Sequence, residues 1–303
     1  MNIAHFCRLF GISRQGYYQK VKRYNEAQRV RRQVVELVKT QRKKHKKKGC
    51  VKIHGELQPT LRNLGIKCGR DKFLDFVRNE HLFAPHKKQY VKTTQSNHKF
   101  KTYPNLIKNL DINRAEQVFV SDITFIKTQT RSMYLFLITD AYSKKIMGWE
   151  LAVNMKVITA MKALDMAVKN RIYPERPLIH HSDRGFQYSN PIYIKALHDN
   201  NIDVSMTTKY DPYENAVAER VNGILKTEYD IGDGLVGPED ARKEIEYAIW
   251  LYNTDRSHRS CNMLVPVEAH RKENFKLKKW PSKFSLRNRP LDVKHKVFLE
   301  QIY

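Results

Sequence analysis

Three acidic residues stand in settings that call for a chemical reason: Asp122 in VFVSDITFI, Asp183 in LIHHSDRGFQY and Glu219 in NAVAERVNGILK. Sixty residues separate the first two and thirty-five the last two. Asp122 interrupts an alternating apolar run that reads as a strand, where Asp is disfavoured and an unpaired buried charge is costly. Asp183 closes a second apolar run. The Arg184-Gly185 turn after it would leave its carboxylate at the carboxyl end of a sheet, where clefts of α/β folds form. Glu219 falls in a helical pattern whose apolar stripe is Val217, Val221, Ile224 and Leu225. Asn222 or Gly223 and Lys226 share the other stripe with Glu219, and Asn215 lies one turn earlier. Carboxylates are hard oxygen ligands suited to Mg²⁺ or Mn²⁺. Three of them converging from separate elements would build a site for phosphoryl transfer. Singly, each has an ordinary explanation as a turn former, a surface charge or an ion-pair partner. Asp140 is a rival at another strand end, but Asp-Ala-Tyr-Ser opens a turn and the hairpin accounts for it. His181 is a candidate substrate or DNA contact beside Asp183, and His180 reads as structural.

The elements that must position these acids follow from pattern. From residue 117 the chain reads as three strands, in VFVSDITFIK and in MYLFLITDAYSKKIMGWELAV, followed by a helix over about 156–171. RPLIHHSD, PIYIKALHDNN and DVSMTT continue as strand, helix and strand, with further helices at about 214–229 and from Pro238. Three strands and then alternating helix and strand predict an α/β core: a mixed five-stranded sheet with flanking helices, the order of a ribonuclease-H-like fold.

Upstream, residues 2–20 read as helix, turn, helix, with Gly11 in the turn and Ser13 as N-cap. That is a helix-turn-helix layout in which Arg14, Gln15 and Tyr18 begin the recognition helix. A plain helical hairpin uses the same turn. A helix over about 26–41 runs into RKKHKKK, whose Arg42, Lys43, Lys44, Lys46, Lys47 and Lys48 form a like-charge block expected to stay extended and to neutralise phosphates. A second helical unit with a Gly65-Ile66 turn follows. The expected organisation is a helix-turn-helix segment at 1–25, a basic helical DNA-binding module at 26–84, a linker at 85–110, the catalytic core at 111–270 and a basic tail at 271–303.

Charge supports a polyanionic partner. The net charge of +25 divides into +21 over residues 1–110 (27 Lys and Arg against 6 Asp and Glu), −3 over 111–270 (19 against 22) and +7 over 271–303 (10 against 3). Basic flanks around a near-neutral middle point to nucleic acid. Cys7, Cys50, Cys68 and Cys261 form no CxxC pair and read as reduced thiols. No apolar run approaches the length of a membrane span, and the N-terminus lacks a signal-peptide layout. A cytoplasmic protein is expected.

With Lys226 seven residues after Glu219, the three acids resemble the DDE signature of retroviral integrases and related transposases. The surrounding words LIHHSDRGFQYS, DVSMTTKYDPYENAVAERVNGILKTE and YNTDRSHRSCNMLVPVEAH are similar to the second-frame product of the IS-three family of bacterial insertion sequences. The likeness runs from FCRLFGISRQGYY to VPVEAH. It implies a transposase that cleaves DNA and transfers strands with two Mg²⁺ ions, for which Mn²⁺ can substitute. Asp122, Asp183 and Glu219 would be the catalytic metal ligands and Lys226 a DNA contact. It further implies terminal inverted repeats and target DNA as partners, a homo-multimer, a first-frame protein joined by frameshifting, and a place in the bacterial cytosol at the nucleoid. Ser257 stands where the family has proline before His258. Cys261-Asn262-Met263 and Asp211-Pro212 are further departures, and none is a ligand. The alternatives are a nuclease of the same fold that cuts without joining, and a non-catalytic DNA-binding regulator.

Overall fold

A computed structural model describes residues 3–84, 100–208, 214–231, 234–273, 275 and 277. Helix α1 (Ile3–Leu9) meets α2 (Arg14–Lys44) across a turn in which Gly11 takes φ +60°. Ser13 caps α2, its Oγ accepting from the Gly16 N–H at 3.0 Å, as serine's capping preference leads one to expect. Helix α2 then runs unbroken to Lys44, so the boundary expected at 25–26 lies inside one helix. After Gly16 this stretch has no Gly or Pro and is rich in Arg, Lys, Gln and Glu, all good helix formers. Helices α3 (Cys50–Asn63) and α4 (Arg70–Asn79) are joined through Gly65 at φ +66°. They pack on the C-terminal half of α2 in a core of Val34, Val38, Ile53, Leu61, Phe73 and Val77.

The second unit opens with β1 (Val118–Lys127), β2 (Ser132–Asp140) and β3 (Ile146–Ala152). Then come α5 (Val157–Lys169), β4 (Leu178–Ser182), the short α6 (Phe186–Ser189), α7 (Pro191–Asp199), β5 (Ile202–Met206), α8 (Ala216–Glu228), α9 (Pro238–Thr254) and α10 (Pro266–Arg271). The sheet order is β3-β2-β1-β4-β5. β1 pairs antiparallel with β2 and parallel with β4; β5 is parallel to β4. This is the mixed five-stranded, ribonuclease-H-like arrangement expected from the pattern. Helices α5 and α7 cover one face, with Phe119, Phe136, Leu164 and Leu197 among the core residues. Helices α8 and α9 cover the other, with Leu135, Leu137, Val221, Leu225 and Ile249. Burying both faces keeps the central strand rigid and apolar, which suits the placement of a reactive side chain on it.

Asp140 is wholly buried and serves the β2–β3 turn, its Oδ1 accepting the N–H groups of Tyr142 and Ser143 at 2.9 and 2.7 Å. Its Oδ2 accepts the Glu116 N–H at 2.6 Å. Residues 100–110 lie along the core, with the Leu106 N–H on Ser205 Oγ at 2.9 Å. Most of the expected linker and of the basic tail, residues 85–99 and 278–303, and the Asp211-Pro212 departure lie outside the described residues.

Candidate active site

Strand register brings the first two acids together. Val118, Phe119 and Val120 of β1 pair in parallel with Ile179, His180 and His181 of β4. Carried two residues further, the same register sets Asp122 beside Asp183 as the chain leaves β4. Helix α8 supplies the third acid and is tied to β1 by two asparagines. Asn215 Nδ2 donates to the Ser121 carbonyl at 3.0 Å, and Asn222 Nδ2 donates to Asp122 Oδ2 at 2.7 Å. Glu219 lies between them on the same stripe, exposed to solvent, and Lys226 follows two turns on.

The two aspartates are also held locally. Asp122 Oδ1 accepts the Ile123 N–H at 2.9 Å, and Asp183 Oδ1 accepts the Gly185 N–H at 3.0 Å. Gly185 is a close approach: a Cβ there would lie 2.9 Å from Asp183 Oδ1. Burial first, and then the Asp183 charge, push the Asp122 carboxyl up to about 7; Glu219 adds to this, and the bonds from Asn222 and Ile123 oppose it. Burial lowers the Lys226 ammonium, and the Asp122 charge partly restores it. An all-oxygen set in which two acids raise the proton affinity of the third suits a hard divalent cation. Among the described residues, no group of three His, Cys, Asp or Glu side chains is drawn together tightly enough to hold a metal ion. Asp122 is held both within its own strand, by the Ile123 N–H, and from α8, by Asn222.

The remaining expected contacts divide. Arg14, Gln15 and Tyr18 sit exposed on the first turn of α2, where a groove-reading helix would present them. Asn215 and His181 are buried. His181 Nδ1 is 2.8 Å from Ser205 Oγ, and burial holds its ring down to about 4, so it is neutral. Neither offers a surface to DNA. In the basic block, Lys43 and Lys46 are exposed, whereas Arg42 donates to the Leu82 carbonyl at 3.1 Å. Lys44 and Lys47 pair with Asp255 and Asp230, and Lys48 is wholly buried against Glu56. The block is folded rather than extended, because these carboxylates and carbonyls offset the repulsion among its cations. His180 is structural as expected: its Nε2 is 2.6 Å from Ser121 Oγ and 3.0 Å from Tyr193 OH. What the sequence reading missed is the hold of Asn222 on Asp122. Its only signal was a place on the Glu219 stripe.

The sheet thus carries acids on its central strand, beside it and on the helix across it. Residues 112–212 and 200–266 match the integrase core domain family. An uncharacterized 31 kDa protein of insertion element IS600 from Shigella sonnei is 32% identical over 269 residues, 88% of this chain and 97% of that protein. Transposase InsF of insertion sequence IS3A from Escherichia coli K12 is 27% identical over 277 residues, covering 89% and 94%. The HTLV-2 integrase catalytic core, solved in complex with magnesium, is 17% identical with a TM-score of 0.43, over 52% of this chain and 97% of that one. The chain belongs to the IS-three family of insertion-sequence transposases and is an enzyme of DNA transposition. No helix among the described residues is long and apolar enough to cross a membrane.

Proposed function

We propose that the protein cleaves DNA at the ends of its insertion sequence and joins the freed ends to target DNA, using Asp122, Asp183 and Glu219 as the acids of one metal-dependent site. The observation that carries this reading is the β1–β4 register, with α8 laid across β1 by Asn215 and Asn222. Two Mg²⁺ ions, or Mn²⁺ in their place, would supply Lewis-acid activation of the attacking oxygen and charge neutralisation at the leaving oxygen. Asp122, Asp183 and Glu219 would hold them. The chain's own groups do the positioning. Asn222 keeps one Asp122 oxygen oriented, the turn at Gly185 orients Asp183, and Lys226 offers its ammonium to a phosphate. In the first step water attacks a phosphodiester at the element's end, the P–O3′ bond breaks and a 3′-OH is released. In the second that 3′-OH attacks a target phosphodiester and displaces another 3′ oxygen. Neither step needs a covalent enzyme intermediate.

End recognition is assigned to Arg14, Gln15 and Tyr18, with Lys43 and Lys46 as phosphate contacts. Holding two ends at once calls for a homo-multimer. The decisive experiment uses labelled element ends in Mg²⁺. Asp183→Asn should lower both cleavage and joining by roughly 10³-fold or more while leaving DNA affinity nearly unchanged. An Asp183→Asn protein that still joined ends would refute the assignment. A wild-type protein that cut but never joined would favour the nuclease reading instead.

A further inference from the structure

Helix α8 carries Glu219 in its first turn and ends at Glu228. The last carbonyls of a helix and its dipole favour positive charge there. What arrives at that end is the segment joining α2 to α3. The Lys47 N–H donates to the Glu228 carbonyl at 3.3 Å, and the Lys47 ammonium pairs with Asp230. Lys44 reaches Asp255, just past the end of α9, at 3.2 Å. Deeper in, Lys52 lies 4.0 Å from Glu228, whose carboxylate is gripped by the Arg256 fork at 2.7 and 2.8 Å. Glu56 of α3 closes the seam, taking Lys48 at 3.0 Å and the Ser257 hydroxyl. Lys48 and Arg256 are wholly buried. The Lys48–Glu56 and Arg256–Glu228 pairs are therefore not solvated surface pairs, which contribute little; a buried charge deprived of its partner is strongly unfavourable, and the half-exposed Lys44–Asp255 and Lys47–Asp230 pairs lie at the rim of that buried seam.

We propose that this seam is a coupling interface: residues 44–56 of the helical module grip the C-terminal end of α8, and Glu228 and Arg256 act as positioning residues for Glu219. The partner fitted by the acidic notch of the core is thus the basic segment of the chain's own helical module. Much of the charge block that reads as a phosphate patch fastens the two units together. The consequence for catalysis rests on the transposase mechanism proposed above; the contact itself does not.

The test uses the full chain with Lys47→Asp, Asp230→Lys, their double, and Asp230→Asn. The last keeps a side chain suited to the left-handed φ of +59° at that position. Hydrogen exchange without DNA reads the contact, while joining of pre-cut ends in Mg²⁺ and DNA affinity read its consequence. Each single reversal should speed exchange in both α8 and residues 45–57 and slow joining about tenfold, and the double should return both to within about threefold. Asp230→Asn should slow joining without weakening DNA binding, since it removes a negative charge. If Lys47→Asp instead weakened DNA binding in step with activity and the double gave no recovery, Lys47 would be a phosphate contact and the proposal would fall. Unchanged exchange in α8 would overturn it as well. A wild-type protein with no joining activity would count against the mechanism, while the exchange data would still decide the coupling.

Discussion

Asn222 shows how much of this site depends on one amide. Its Nδ2 bond to Asp122 fixes the carboxylate on the central strand, and Asn222 is itself only 5% exposed, so the geometry has little room to relax. Residues that orient a metal-binding carboxylate typically influence affinity or activity by about 10- to 100-fold when removed. Asn222→Ala should therefore lower strand joining by about that factor and raise the Mg²⁺ concentration needed for half-maximal rate, with DNA affinity retained. A titration of joining rate against Mg²⁺ checks both. Asp122 itself was legible because an acid in an apolar strand is anomalous. Asn222 was not, because an asparagine on a polar helical stripe is ordinary until the strand opposite is known.

At the scale of elements, the core depends on how closely α5 approaches β3. A Cβ on Gly148 would fall 2.1 Å from the Ala163 carbonyl and 2.7 Å from the Ala167 nitrogen, so the helix backbone sits against the bare glycine. Gly148→Ala must push α5 off the sheet. Overpacking of this kind costs about 1–3 kcal/mol, and backbone contact puts it at the upper end. Thermal unfolding should show a clearly lowered Tm, with joining activity lost in parallel rather than selectively. The five strands and the long helices were readable from period and turn chemistry. Helices α6 and α10 were not, since segments of four and six residues are too short for a helical period to declare itself. The unbroken α2 was missed for the opposite reason. The apolar face that packs through Val30, Val34 and Val38 marks where the helix meets its neighbours, and not where it starts.

Across the whole molecule, charge is distributed differently from what the composition suggests. Glu116 is wholly buried between the core and α10, taking Arg171 Nε at 3.0 Å, the Ile172 N–H at 2.7 Å and His270 Nε2 at 3.1 Å. Burial alone would raise this carboxyl, but the hydrogen bonds from His270, Ile172 and Arg171 outweigh it and bring it down to about 2 from an ordinary 4.5. A group depressed on folding contributes stability above its unfolded value and loses it as pH falls through the folded one. Glu116 should therefore add about 3 kcal/mol above pH 4.5 that fades between there and pH 2. Urea unfolding of wild type and Glu116→Gln across that window should converge at the acid end. By itself the sequence determined the catalytic class, the strand and helix order and the capped turn before α2, and it singled out the three acids proposed as the site, because local pattern and residue chemistry carry those. Only the tertiary structure decided which polar groups face outward. It buried Asn215, His181 and Lys48, turned Asn222 onto Asp122, and set part of the basic block against the ends of α8 and α9. The physical reason is that a charge or an amide is read identically in sequence whether its partner is solvent, DNA or a carboxylate nearly two hundred residues away, as Asp230 is from Lys47.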